Sequence, residues 1–209
     1  MIDPTTTYPL QHSWVFWTMH KEPKRKDPQR LDSVSSVTST TTGVETAGSG
    51  SESKGPSYSD SITKVCTFST VAEFWMGYSH VKRPSDLAVA SDLFLFKDGL
   101  RPTWEDQPTG GKWIVRLKKG LASRYWVLAL IGEQFDVGDE ICGAVISMRH
   151  QEDILSVWNQ TAESGRVNLK IRDTLKRVLN LPSNCIMEYK AHQASITDQS
   201  SYRNTALFL

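Results

Sequence analysis

The sequence predicts a single α+β domain in which three helices pack on one face of a largely antiparallel sheet. Three observations predict it. The chain has 209 residues, 39% of them hydrophobic, enough for one substantial core. Short segments of period two are interspersed with segments of helical period. The strands are joined mostly by hairpins rather than by the regular βαβ alternation of a doubly wound fold. No internal repeat is present.

His12 to Thr18 is predicted as the first strand, with Trp14, Val15, Phe16 and Trp17 inside it. The chain then changes character. Lys21 to Arg30 is basic and contains Pro23 and Pro28, and Ser33 to Ser57 is dominated by Ser, Thr and Gly. Such a stretch cannot bury enough apolar surface to offset its ordering entropy, so residues 21–57 are predicted to be a disordered loop inserted in the domain. Order is expected again near Ile62. Thr70-Val71-Ala72-Glu73 matches a capping box, with Val71, Phe74, Trp75 and Tyr78 following at helical spacing, which predicts a first helix over Thr70 to Ser79.

Leu93 to Phe96 is predicted as a strand and Lys97-Asp98-Gly99 as a turn. Gly110-Gly111 leads into a strand over Lys112 to Lys118. There Trp113, Val115 and Leu117 should point one way, Ile114 and Arg116 the other. Ser123 to Phe135 is predicted as the second helix. Ile141 to Arg149 and Ile154 to Trp158 form a predicted hairpin across His150-Gln151-Glu152-Asp153. The third helix spans Val167 to Leu179, its apolar stripe supplied by Leu169, Ile171, Leu175, Val178 and Leu179, with Pro182 as its stop. Ile186 to His192 is a predicted strand, and the tail from Ser200 a loop with a short last strand. Trp14, Trp17, Trp113 and Trp126 are expected in the core.

Composition narrows the function. The net charge of +1 argues against coating nucleic acid by bulk electrostatics, so any such contact is expected to be local. The three widely spaced cysteines, Cys66, Cys142 and Cys185, suit reduced thiols in the cytosol, with the nucleus as a second compartment. The first ten residues lack the apolar core of a secretory signal. Seven tryptophans exceed what a core of this size needs and raise the odds of a stacking site.

The segment Trp104-Glu105-Asp106 concentrates that expectation. An indole face beside a carboxylate suits a flat ring that carries positive charge and presents N–H donors. Guanine methylated at N7 is such a ring: its charge strengthens stacking, and its N1–H and N2–H2 edge can donate two hydrogen bonds to one carboxylate. Taken alone, the triplet is more often an ordinary loop-packing or helix-start motif.

Further blocks add weight. Tyr8-Pro9-Leu10-Gln11, Ser69-Thr70-Val71-Ala72-Glu73-Phe74-Trp75, Leu95-Phe96-Lys97-Asp98-Gly99, Trp104-Glu105-Asp106, Gly110-Gly111-Lys112-Trp113 and Ile141-Cys142-Gly143-Ala144-Val145 occur in that order. In them the chain resembles the translation initiation factor 4E family, across nearly its whole length outside residues 21–57. Lys118 to Arg124, Gly132-Glu133-Gln134-Phe135, Gln151 to Ile154 and Ile171 to Leu175 are most similar to the second class, the 4E homologous or novel cap-binding proteins. The ending Ser200 to Thr205 is similar to plant-type members.

The resemblance implies a curved antiparallel sheet, three helices on its convex face, and a pocket for the 7-methylguanosine cap of messenger RNA on the concave side. It implies that Trp104 and Tyr58 sandwich the base while Glu105 takes its edge, and that Trp158 sits by the methyl group. Arg149 would hold phosphate, with Lys112 as a second contact. Arg203 is expected to compensate for lysines that initiating members carry after the Arg149 position. No cofactor is implied. Pro9, Val71 and Trp75 match positions that contact a scaffold or repressor helix. Family members have about three more residues between the positions of Trp126 and Gly132, and losing nearly one turn rotates the remainder of the helix by about 60°. Either the helix starts later or that half of the partner surface is reshaped, and partner binding is expected to suffer in the second case.

A binding protein in translation initiation or its regulation is therefore expected, not an enzyme. Two alternatives have distinct signatures. A cap or nucleotide hydrolase needs an activated nucleophile or metal ligands, and Glu105-Asp106 and Glu152-Asp153 (with His150) are the acid clusters available. A translational repressor or interaction module with a weakened cap pocket would be marked by the smaller face of Tyr58 at the end of the long insert.

Overall fold

The computed structural model describes residues 7–20, 58–121, 123, 126, 134–181, 185–202 and 205–208. The expected 21–57 insert, most of the second helix and Pro182 lie outside the described residues.

Eight strands form one sheet: β1 (Pro9–His20), β2 (Thr63–Thr70), β3 (Ser91–Lys97), β4 (Gly111–Lys118), β5 (Ile141–Met148), β6 (Glu152–Asn159), β7 (Met187–Ala191) and β8 (Ala206–Phe208). Their order is β2-β1-β3-β5-β6-β4-β7-β8, and every pairing is antiparallel. Among the described residues three α-helices accompany them, α1 (Val71–His80), α2 (Gly165–Val178) and the short α3 (His192–Asp198). The architecture is the expected α+β one.

Period-two alternation sorts the side chains onto two faces. Trp14 and Phe16 of β1, Leu93 and Leu95 of β3, Trp113, Val115 and Leu117 of β4, and Leu155 and Val157 of β6 join one large core. Phe74 of α1, Ile171 and Leu175 of α2, and Trp126 close it from above. The alternate residues Met19, Phe94, Phe96, Val145 and Trp158 form a smaller cluster on the opposite face, with Trp17 and Trp104 packed against it. Trp17 thus belongs to the open side of the sheet and not to the main core.

The capping box at Thr70 forms as expected. Glu73 N–H donates to Thr70 Oγ1 at 3.2 Å, and the Thr70 and Ser69 backbone N–H groups donate to Glu73 Oε2. These bonds hold the Glu73 carboxyl below the usual carboxylate range. In α2, Ile171 and Leu175 are fully buried, but Leu169 is 41% exposed, so it leaves the predicted stripe. It sits two residues from Ile171, which places it well round the helix from the buried face.

Several elements differ from expectation, β1 among them, which runs from Pro9 to His20 and so past both ends of the predicted His12 to Thr18. Thr63–Thr70 is an edge strand whose outward residues are polar apart from the exposed Val65, so its apolar alternation is too weak to betray it. The predicted strand ending at His192 stops at Ala191, where α3 begins. The hairpin strands are displaced by one or two residues, to Met148 and Glu152.

Two glycines in the strands are required by close approach. A Cβ on Gly143 would strike the Leu95 carbonyl and the Phe96 ring. One on Gly111 would strike the Tyr189 ring, whose hydroxyl donates to Asn159 Oδ1 at 3.0 Å.

Candidate functional site

On the open face a cavity of about 440 Å³ is lined by Tyr58, Asp92, Trp104, Glu105, Lys112, Arg149, Trp158 and Tyr202, among others. That volume lies within the range of small-ligand sites. Strands supply its floor, through Phe94, Val145, Ser147, Ser156 and Trp158. Loops supply its walls.

Trp104 sits in the loop between β3 and β4, which local hydrogen bonds make rigid. Gln107 N–H donates to the Trp104 carbonyl at 3.1 Å, and Gln107 Nε2 donates to the Arg101 carbonyl at 2.9 Å. Thr103 Oγ1 donates to Asp106, so the second acid of the Trp-Glu-Asp triplet is engaged within the loop. Glu105 is exposed at the cavity rim, with no cation paired to it among the described residues. Its carboxylate is free to accept N–H donors.

Tyr58 opens the turn of 3-10 helix before β2. Ser61 Oγ donates to its carbonyl at 2.6 Å and lies 3.4 Å from Met19 Sδ, which sets that turn against the sheet. The Tyr58 and Trp104 rings lie 6.5 Å apart between centroids, with planes 20° from parallel. Carbon atoms in contact are separated by about 3.5 Å, so a flat ring inserted between two others needs roughly 7 Å. The centroid separation comes close to that of a sandwich around one planar base, so a small outward shift of either ring admits the base. The exposed Tyr58 ring ends in an enclosed hydroxyl, whose pKa burial raises, with Asp92 adding to the effect.

At the far end Arg149 Nη1 pairs with the buried Asp92 at 2.9 Å. Arg149 also donates to the Met148 carbonyl at 3.0 Å. The guanidinium is thus fixed on the cavity wall, as a phosphate contact requires. Lys112 lies deeper than expected. It is 3% exposed, with Nζ 5.0 Å from the Trp104 ring, 5.8 Å from Trp158 and 5.9 Å from Tyr202. Burial, then the neighbouring Lys190, pulls its pKa down to about 7. Trp158 is both a core residue and cavity floor: it is 3% exposed, and Phe96 packs edge-on against it at 5.2 Å. His192 lies against its other side at 4.2 Å, kept neutral by burial and by Lys112, with a pKa pushed down to about 3.

The structure therefore brings together Tyr58, Trp104, Glu105, Lys112, Arg149 and Trp158. Arg203 lies outside the described residues. Sequence reading missed Asp92 and Tyr202. Asp92 shares the concave-facing parity of Phe94 and Phe96, a signal that was available; Tyr202 arrives from a loop and left none.

On the helix side, Val71 N–H donates to the Tyr8 carbonyl at 2.9 Å, and Pro9 is in register with Thr70. Pro9 and Val71 are adjacent for that reason, and Trp75 stands one turn along α1, 53% exposed. Its ring rests edge-on against Phe74 at 5.0 Å and Tyr78 at 5.9 Å, leaving a face to solvent. The shortened stretch after Trp126 lies outside the described residues.

Residues 9–207 match the family model of eukaryotic initiation factor 4E. The chain belongs to that family. It is 52% identical over 156 residues to the eukaryotic translation initiation factor NCBP of Triticum aestivum, covering 72% of this chain and 67% of the relative. Among solved structures it is similar to Caenorhabditis elegans eIF4E-3 in complex with the 4E-binding protein Mextli and cap analog. The identity there is 32%, the TM-score 0.73, and the match covers 96% of this chain and all of that one. Ascaris suum eIF4E-3 with m7G cap matches at 29% identity and a TM-score of 0.73, covering 97% and 98% of the two chains. Within the 4E family the chain is of the novel cap-binding type.

Proposed function

We infer that this chain binds the 7-methylguanosine cap of messenger RNA and acts in translation initiation or its regulation. One observation carries the reading: two nearly parallel aromatic faces 6.5 Å apart, with an uncompensated carboxylate on the rim beside them. The base enters the slot between Tyr58 and Trp104. Glu105 accepts its N1–H and N2–H2, which fixes the base edge-on and favours guanine. The methyl group at N7 makes the ring cationic, and a cation between two π faces gains about 2 kcal/mol when desolvated. Stacking adds on the order of 1–3 kcal/mol per base face. Arg149 faces the triphosphate, and Lys112 lies beneath Trp104 as a second, buried cation. Retention on immobilised 7-methyl-GTP, with GTP as competitor, tests this: release by 7-methyl-GTP alone supports it.

The chain acts by binding and not by catalysis. Asp92 is already paired with Arg149, and Glu105 stands without a neighbouring base or metal-ligand cluster among the described residues. Capped RNA incubated with the protein and magnesium should yield no nucleotide products.

A protein helix docks on the opposite face, at Pro9, Val71 and Trp75. A cap analog and the 4E-binding protein Mextli are both present in the C. elegans eIF4E-3 complex. The two surfaces are separated by the sheet, so cap and partner bind together. The partner at Trp75 decides between promotion and repression of initiation. The cytoplasm, with the nucleus as a second compartment, is the proposed location.

A further inference from the structure

The loop that follows α3 delivers a third aromatic, Tyr202, into the cavity, and its surroundings are specific. Lys190, 2% exposed, donates from Nζ to Asp198 Oδ2 at 2.7 Å and to the Ser200 carbonyl at 2.9 Å. Ser200 Oγ in turn accepts from Tyr202 N–H at 3.2 Å. A buried ion pair thus anchors the loop on either side of the α3 terminus and sets where Tyr202 enters. Once inside, Tyr202 shares the cavity wall with Ser147, Arg149 and Asp92, and its hydroxyl and the Arg149 guanidinium perturb each other. Its ring lies 5.9 Å from Lys112 Nζ and 5.9 Å from Arg116 Cζ.

We propose that Tyr202 is the positioning residue for phosphate recognition, its hydroxyl holding Arg149 from one side while Asp92 holds it from the other. Asp92 and the Met148 carbonyl both take the same nitrogen, Nη1, so the rest of the guanidinium can still swing about it; a further partner removes that freedom. The base slot itself is formed by Tyr58 and Trp104.

The inference rests on the cap-binding reading and deepens it. The test compares 7-methylguanosine, which lacks phosphate, with 7-methyl-GTP on the unsubstituted chain and on Tyr202→Phe, by tryptophan fluorescence quenching. Removing a hydrogen bond to a charged group should weaken 7-methyl-GTP binding about fivefold to tenfold. The nucleoside should bind both proteins equally, and the slope of affinity against salt should flatten for the variant. Tyr202→Ala should show a larger loss with the same selectivity. Equal losses for nucleoside and triphosphate would mean that Tyr202 merely supports the pocket, and no loss for either would mean it does not hold Arg149; each overturns the proposal. Absence of 7-methyl-GTP binding by the unsubstituted chain would instead overturn the cap-binding reading together with this one.

Discussion

Tyr58 and Trp104 face each other across 6.5 Å, 20° from parallel, although one ring precedes β2 and the other lies in the β3–β4 loop. Neither ring is covered as an ordinary core pair would be: Tyr58 is 44% exposed and Trp104 half-buried. Two large aromatic faces held apart at that spacing leave apolar area wet until a flat ligand fills the gap. That relationship predicts how each member behaves when removed.

Trp104→Ala should lower 7-methyl-GTP affinity by roughly 10- to 100-fold, since a lost stacking face is worth about 1–3 kcal/mol and tenfold is about 1.4 kcal/mol. Tyr58→Trp enlarges the second face and should tighten binding, whereas Tyr58→Ala should weaken it. Isothermal titration checks the order, with Tyr58→Trp tightest, the unsubstituted chain next and Tyr58→Ala weakest.

Lys112 gives the site a pH dependence. Its pKa in the free protein is about 7. Bound phosphate favours the ammonium and raises that pKa, so binding takes up a proton wherever the free lysine is neutral. Affinity is therefore full below about pH 7 and falls as pH rises through it. Lys190, Asp198 and His192 surround the amine; His192 stays neutral throughout this window. The methylated base loses its own N1 proton in alkaline solution, so the readout is a difference. From pH 6 to 8.5, Lys112→Met should lose less 7-methyl-GTP affinity than the unsubstituted chain.

Asp92 neutralises as well as orients. Asp92→Asn keeps an oxygen beside Arg149 but removes the charge. Triphosphate affinity should rise severalfold, with a steeper salt slope, because the guanidinium charge is no longer offset. Thermal stability should fall, since a buried ion pair loses one member. Nucleotide titrations at two salt concentrations and a melting curve read both effects.

Gly143→Ala should destabilise the domain by about 1–3 kcal/mol or more, because the added methyl meets the backbone of β3 and the Phe96 ring instead of open space. The measurement is a denaturant midpoint. Gly138→Ala, where no atom lies within reach, should cost less and act only through its positive φ.

Much of this was visible in the residues. The capping box at Thr70–Glu73 and the two-period pattern of Trp113 to Leu117 describe their own geometry, because local bonds and alternation decide it. Trp104 and Glu105 were legible because they are neighbours in the chain. Lys112 was placed by proximity to that loop, but its depth depends on β4 lying between β6 and β7, a relation set by long-range pairing. The edge strand β2 and the helix α3 carry weak local patterns and form because the sheet and β7 are already present. Tyr202 reaches the cavity through a buried Lys190–Asp198 pair, and no spacing announces that contact.

A side-by-side fluorescence titration of the unsubstituted chain with 7-methyl-GTP and GTP bears on the slot itself. The methylated nucleotide should be preferred by well over tenfold, because only the cationic ring gains fully between two π faces. Equal affinity for the two would contradict the role given to Tyr58 and Trp104.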